Sequence, residues 1–364
     1  MWKYSKLLPN YNKQDIVSLG EGNTPLIKSR YIGKELGVPN LYFKLENLNP
    51  SGSYKDRFAS AFITALKSKG KDICIATSSG NTGAALSAYS AAAGINCVLA
   101  IVDGAPEGKI KQMQLYGAHT YMINGFGKDP QVTGDVFKML SEHAAKIQVP
   151  LPISAYCYCP EGMIGVQTIS YEIIEQTNFA VNHIFSPSGG GGLTLAVAKG
   201  VVAYTENNQP NTKKPKVHCV QPEGNDTIAS SLRNGINAVA IPYATTNVSG
   251  LQVPSILDGN EVIEVCTQLG GNGYVVSDTD IFAFHQLLAQ KEGVFCEPAG
   301  AVALAGLASA VRKKEIKNTD TVVCLVTGSG FKDMHSVERN FGLPDIEKID
   351  GSLLEERIIA LDKN

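Results

Sequence analysis

The sequence has little of what marks a protein for membranes, nucleic acids or the cell exterior. Thirty-two basic residues stand against 34 acidic ones, for a net charge of -2. That balance gives no electrostatic reason to expect nucleic acid or an anionic membrane as a partner. Apolar runs are short: Ala84 to Ala93, among the longest, is broken by serines well before the roughly 20 residues needed to span a bilayer. Met1 to Asn10 has lysines with no apolar run behind them, which predicts no secretion signal. Cysteine is sparse, eight in 364 residues, too dilute for a disulfide scaffold. Cys74, Cys97, Cys219 and Cys324 lie in apolar runs, where a thiol serves as a small hydrophobe. Cys157 and Cys159 are spaced C-x-C with no second pair at zinc spacing, so no metal is expected. These absences predict a cytoplasmic protein whose partners are small molecules.

What is present is an ordinary globular composition, 44% apolar and 18% charged. The length exceeds one compact core and favours two domains. Ile73 to Thr77, Asn96 to Val102, Thr120 to Ile123, His183 to Ser186, Val217 to Val220 and Thr321 to Thr327 read as buried parallel strands. Between them Arg57 to Ser68, Gly83 to Ala93, Val132 to Ala145, Gly165 to Gln176 and Leu193 to Ala203 read as helices. The alternation predicts an α/β fold with mostly parallel sheets. Ligands of such folds bind at the carboxyl ends of the strands, and three turns there carry unusual residues.

The first turn, Ser186 to Leu193, holds Gly189, Gly190, Gly191 and Gly192 between a strand and a helix. Unshielded N–H groups at a helix start suit a phosphate. The spacing fits neither a dinucleotide fingerprint nor a nucleotide P-loop. The second, Thr77 to Gly83, places Ser79, Asn81 and Thr82 at a helix start, suited to a carboxylate or to simple capping. The third, Thr327 to Gly330, offers a hydroxyl at a strand end. A fourth segment, Ser51 to Arg57, puts Lys55 near the start of a helix with Ser53 as a candidate cap. A cation is disfavoured there by the helix dipole, which suits an amine used as a nucleophile.

In this order and spacing the four segments resemble the fold-type II pyridoxal 5'-phosphate (PLP) enzymes, the tryptophan synthase β-like superfamily, over roughly residues 18 to 335. Within it the chain is most similar to the threonine synthases. Leu19-Gly-Glu-Gly-Asn-Thr-Pro-Leu26, Phe43-Lys-Leu-Glu-Asn47, Ser79-Gly-Asn-Thr-Gly83 and Thr327 to Asp333 carry that likeness. The resemblance implies a small domain of residues 45–152, a large PLP-binding domain of 1–44 plus 153–364, the cofactor in the cleft between them, and a homodimer. It implies that Lys55 holds PLP as a Schiff base and shuttles protons. Asn81 meets the cofactor's ring oxygen, Gly189 to Gly192 its phosphate, and Thr327 its pyridine nitrogen. Ser79, Asn81, Thr82 and Ser154 are the implied substrate contacts.

The chain departs from the threonine synthase pattern in one segment. Where the family reads Asn-Ser-x-Asn-Pro-x-Arg-x-Glu-Gly, this sequence has Ile153-Ser154-Ala155-Tyr156-Cys157-Tyr158-Cys159-Pro160-Glu161-Gly162. The phosphate-binding arginine is replaced at Cys159, with Lys109 and Lys111 as candidate substitutes. Three activities on a small amino acid stay open: conversion of O-phosphohomoserine to threonine, ammonia loss from serine or threonine, and β-replacement on phosphoserine or another activated serine. The plain glycine loop and Glu297-Pro-Ala-Gly-Ala301 favour the second, and Tyr158-Cys159 would suit the third.

Overall fold

In the computed structural model, which describes residues 1–105, 107–343 and 345–362, the β-rich runs form two sheets. In chain order the strands are β1 Leu26–Lys28, β2 Leu41–Leu45, β3 Ile73–Ala76, β4 Asn96–Ile101, β5 His119–Met122, β6 His183–Pro187, β7 Lys216–Pro222, β8 Gly273–Val276 and β9 Val322–Val326. The larger sheet runs β1-β2-β9-β6-β7-β8 and the smaller β3-β4-β5. Every pairing is parallel except β1 with β2, an antiparallel edge. The architecture is therefore α/β with mostly parallel sheets, as expected.

Parallel neighbours need long crossovers, and helices provide them. Asn81–Ala93 joins β3 to β4, Glu107–Leu115 joins β4 to β5, and Gly192–Asn208 joins β6 to β7. Every residue of β6 and of β9 is buried, as befits central strands covered on both faces. At full burial Val322, Val323 and Leu325 contribute about 1.5–3 kcal/mol each. Both sheets lie in the compact unit Met1–Asp333, and a second unit from Met334 onward carries the helices Met334–Asn340 and Leu354–Asp362. Among the described residues no helix is long and apolar enough to cross a membrane.

The six expected strands are all present, while β1, β2 and β8 were not anticipated. The expected helix at 165–176 is two, Pro160–Val166 and Thr168–Gln176. The helix expected from Arg57 starts at Lys55, and Ser53 does not cap it. Instead Ser53 bridges to Gly328, and Tyr54 N donates to Thr327 O at 3.0 Å. These contacts fix the start of the helix against the end of β9.

A fully buried ion network anchors the same helix from behind. Arg57 donates to both oxygens of Glu46 (2.8 and 2.7 Å) and both of Glu172 (2.7 and 2.8 Å). Lys44 Nζ reaches Glu172 Oε2 at 2.7 Å. Two cations and two carboxylates thus pair with side chains almost wholly buried from solvent. Burial alone would raise Glu46 and Glu172, but Arg57 and then Lys44 together hold both carboxyls below their usual range. The network ties β2, the helix Lys55–Ser68 and the helix Thr168–Gln176 into one frame.

Candidate active site

The carboxyl ends of strands from both sheets open on one cavity of about 480 Å³, within the size range of small-molecule sites. The turn after β3 brings Ser79, Asn81 and Thr82; the turn after β6 brings Gly189, Gly190, Gly191 and Gly192; the end of β9 brings Thr327. Lys55, at the first position of its helix, and Ser154 complete the wall. Every site residue expected from the sequence therefore lines the same cavity.

Lys55 Nζ donates to Ser154 Oγ at 2.6 Å and lies 4.5 Å from the centre of the Tyr54 ring. Ser154 Oγ is also 3.3 Å from Thr82 Oγ1. Ser79 Oγ accepts from Val102 N at 3.1 Å, which leaves its O–H as the group free to meet a ligand. Asn81 Nδ2 donates to Glu297 Oε1 at 2.8 Å.

The cavity's polar atoms fit PLP. Among the described residues, Asn81 Oδ1 and Thr327 Oγ1 are buried without a hydrogen-bond partner, a costly condition. The threonine O–H can donate to a ring nitrogen, and a protonated ring hydroxyl can donate to the amide oxygen. The glycine turn fits a phosphate. Gly191 has φ +100°, a conformation that glycine adopts without strain. A Cβ on Gly190 would come within 2.7 Å of Leu257 Cδ1. Among the described residues, no hydrogen bond from the amides of Gly189 to Gly192 reaches a protein acceptor. The turn also opens the 17-residue helix Gly192–Asn208, whose dipole favours an anion at this end.

Two charged residues complete the electrostatics. Glu297 is buried; that burial pushes its carboxyl above the usual range, while Lys109 and Lys332 pull it back. Lys109 is buried in the cavity wall, 3.8 Å from Glu297 Oε2 and 3.4 Å from Ser249 Oγ. Of the two candidate lysines it is the one that lines the site, while Lys111 is exposed outside it. The segment Ser249 to Val253 also lines the cavity and carried no signal in the sequence. Nothing at 249–253 resembles a motif, and only the fold brings it to Lys109.

Cys159 is a correction. The thiol is fully buried in the main apolar core, burial pushes it up to about 12, and it does not line the cavity. Tyr158 is half exposed and also outside the cavity. Neither is placed to accept a different nucleophile, so the feature that suggested β-replacement is not part of the site. Cys157 stands where the family pattern has proline, and its N–H donates to Asp258 Oδ1 at 3.0 Å.

Residues 17–328 match the family described as pyridoxal-phosphate dependent enzyme. A threonine synthase of Halalkalibacterium halodurans is 35% identical over 91% of this chain and 88% of its own length. A threonine synthase of Methanocaldococcus jannaschii is 32% identical over 92% of this chain and 80% of its own. Among solved structures, the processed form of threonine deaminase isoform 2 from Solanum lycopersicum superposes with a TM-score of 0.71 at 25% identity, covering 88% of this chain and 84% of that one. The chain therefore belongs to the fold-type II pyridoxal-phosphate dependent enzymes and takes PLP as its cofactor.

Proposed function

We propose that the enzyme converts O-phosphohomoserine and water to threonine and phosphate. The observation that carries this reading is Lys109, a buried cation in the cavity wall of a chain whose relatives are threonine synthases. A substrate with a distal phosphate needs such a cation, and among the described residues no arginine lines this cavity. Ser249 beside it adds a neutral donor.

In this reading Lys55, Asn81, Gly189 to Gly192 and Thr327 hold PLP, and Ser79, Asn81, Thr82 and Ser154 orient the substrate carboxylate. PLP supplies the electron sink for carbanion chemistry at the amino acid's α carbon. The chain's part is positioning and proton management. Lys55 Nζ, steered by Ser154 Oγ, is the base and acid at the substrate. A hydroxyl at Thr327 rather than a carboxylate leaves the ring nitrogen uncharged, which favours elimination over transamination. Residues 45–152, which contain the whole small sheet, form the smaller of the two domains around the cleft.

A second reading rests on Glu297. A carboxyl 3.8 Å from Lys109 offsets the lysine's charge, and a cavity so balanced suits unphosphorylated serine or threonine losing ammonia. Incubation of the PLP-loaded enzyme with O-phospho-L-homoserine decides between them. Equal yields of phosphate and threonine are expected, and Lys109→Met should raise KM about 10-fold or more, the loss of one charge-assisted hydrogen bond. Ammonia and a 2-oxo acid from serine, with no phosphate release and no effect of Lys109→Met, would establish the second reading instead.

A further inference from the structure

Two carbonyls of the glycine turn are drawn away from the site by residues outside it. Gly189 O accepts from Gln221 Nε2 at 2.9 Å, and Gly190 O accepts from Asp258 N at 3.1 Å. A trans peptide is planar with its C=O and N–H opposed. Fixing these two oxygens therefore turns the N–H groups of Gly190 and Gly191 the opposite way.

Asp258 does more than hold one carbonyl. It stands at the N-cap of the helix Gly259–Gln268, a position where aspartate ordinarily caps its own helix, yet its carboxylate makes no such bond. Instead Oδ2 accepts from Tyr156 N at 2.7 Å and Oδ1 from Cys157 N at 3.0 Å. Asp258 is buried. Two residues before Tyr156 is Ser154, whose hydroxyl receives Lys55 Nζ. The two segments also meet directly: a Cβ on Gly192 would lie 2.6 Å from Ser154 O. One residue thus fastens the glycine turn through its amide and the Ser154 segment through its carboxylate.

We propose that Asp258 is a positioning residue, which sets the Ser154 hydroxyl against Lys55 in register with the glycine turn that takes the cofactor's phosphate. The inference rests on family membership and on the placement of Lys55, not on the phosphorylated substrate. Its test is therefore independent of product assays.

The test uses PLP itself and four proteins: the parent enzyme, Asp258→Asn, Ser154→Ala and the double variant. An asparagine keeps the shape but accepts from one amide only and turns its own NH₂ on the other. Asp258→Asn should weaken PLP binding, titrated into the cofactor-free protein, by about 10-fold. It should also displace the pH titration of the lysine-bound cofactor's visible absorbance by about half a unit or more. Ser154→Ala should displace that titration in the same sense, and the double variant should go no further, because one displacement acts through the other. A melting temperature near that of the parent confirms that the fold is intact. Asp258→Glu, which keeps both acceptor oxygens, serves as the conservative rescue. Unchanged PLP affinity and titration in Asp258→Asn, or shifts that simply add in the double variant, would overturn the proposal. Absence of threonine synthesis would leave it standing.

Discussion

Replacing Arg57 by leucine tests whether the buried ion network frames the site. The guanidinium makes four hydrogen bonds of 2.7–2.8 Å to Glu46 and Glu172 with no exposure to water. Leucine leaves two buried carboxylates facing Lys44 without the guanidinium. Breaking such a group from one side costs about 3–5 kcal/mol, a third or more of a typical domain's stability. The melting temperature of a chain this long should fall by about 4–7 °C. The loss must also depend on pH. In the parent, Glu46 and Glu172 are held below their ordinary value of 4.5, so their stabilisation is present above that pH and is lost as the pH falls below it. In the variant, burial acts with most of the compensating charge removed, and the folded carboxyls rise above 4.5. Their penalty is full at neutral pH and is relieved as they take up protons. The gap between the two proteins should therefore narrow steadily from pH 7 toward pH 4.5 when urea midpoints are compared. A gap that stays constant with pH, or one below about 1 kcal/mol at neutral pH, would refute the reasoning.

Gln221 uses all four of its hydrogen-bonding positions, donating to Gly189 O and Thr227 Oγ1 and accepting from Ile228 N and Ala229 N. Gln221→Leu should therefore cost about 2–5 kcal/mol and weaken PLP binding, whereas an unchanged dissociation constant by titration would detach the residue from the cradle. Cys159→Arg does not restore a phosphate contact but buries a charge in the core, for a loss of about 3–5 kcal/mol on denaturation, while Cys159→Ala leaves KM within about twofold. Burial pushes Asp56 up to about 6 from 3.8, with the Ser51 hydrogen bonds opposing it. With a raised folded value, the contribution of Asp56 alone is greatest below pH 3.8, and up to about 3 kcal/mol of it is lost as the pH rises through 6. Asp56→Asn should lack that decline between pH 4 and 7, and parallel stability profiles would refute the assignment.

The central strands were legible because β6 and β9 are buried on both faces and so read as unbroken apolar runs. β2 was hidden by Lys44, a charge inside a strand whose partner Glu172 is 128 residues away. The glycine turn and Lys55 could be read because their chemistry is local, a set of bare amides and a helix start. Lys109 and Glu297 could not be joined, since they lie far apart in the chain and only the fold brings the helix Glu107–Leu115 to the residue before Pro298. Asp258 drew no expectation from the sequence, because nothing near it in the chain shows that its carboxylate serves the segment at Tyr156 and Cys157. The reading of Cys159 failed for a related reason. A family pattern identifies which residue is missing, but not whether the replacement still faces the same space.

Three consecutive residues at one helix start point to three different environments. Successive positions on a helix turn by about 100°. Lys55 thus meets the cavity, Asp56 meets Ser51, and Arg57 meets the buried carboxylates. The Lys55 amine, proposed to react, is placed in part by Asp56 and Arg57, which hold the helix start without bonding to its Nζ. Evolution can exchange the chemistry at position 55 while the scaffold stays intact, or retune the aim from 56 and 57 while the amine stays. Loss of function and loss of fold are therefore separate events here, one residue apart along the chain.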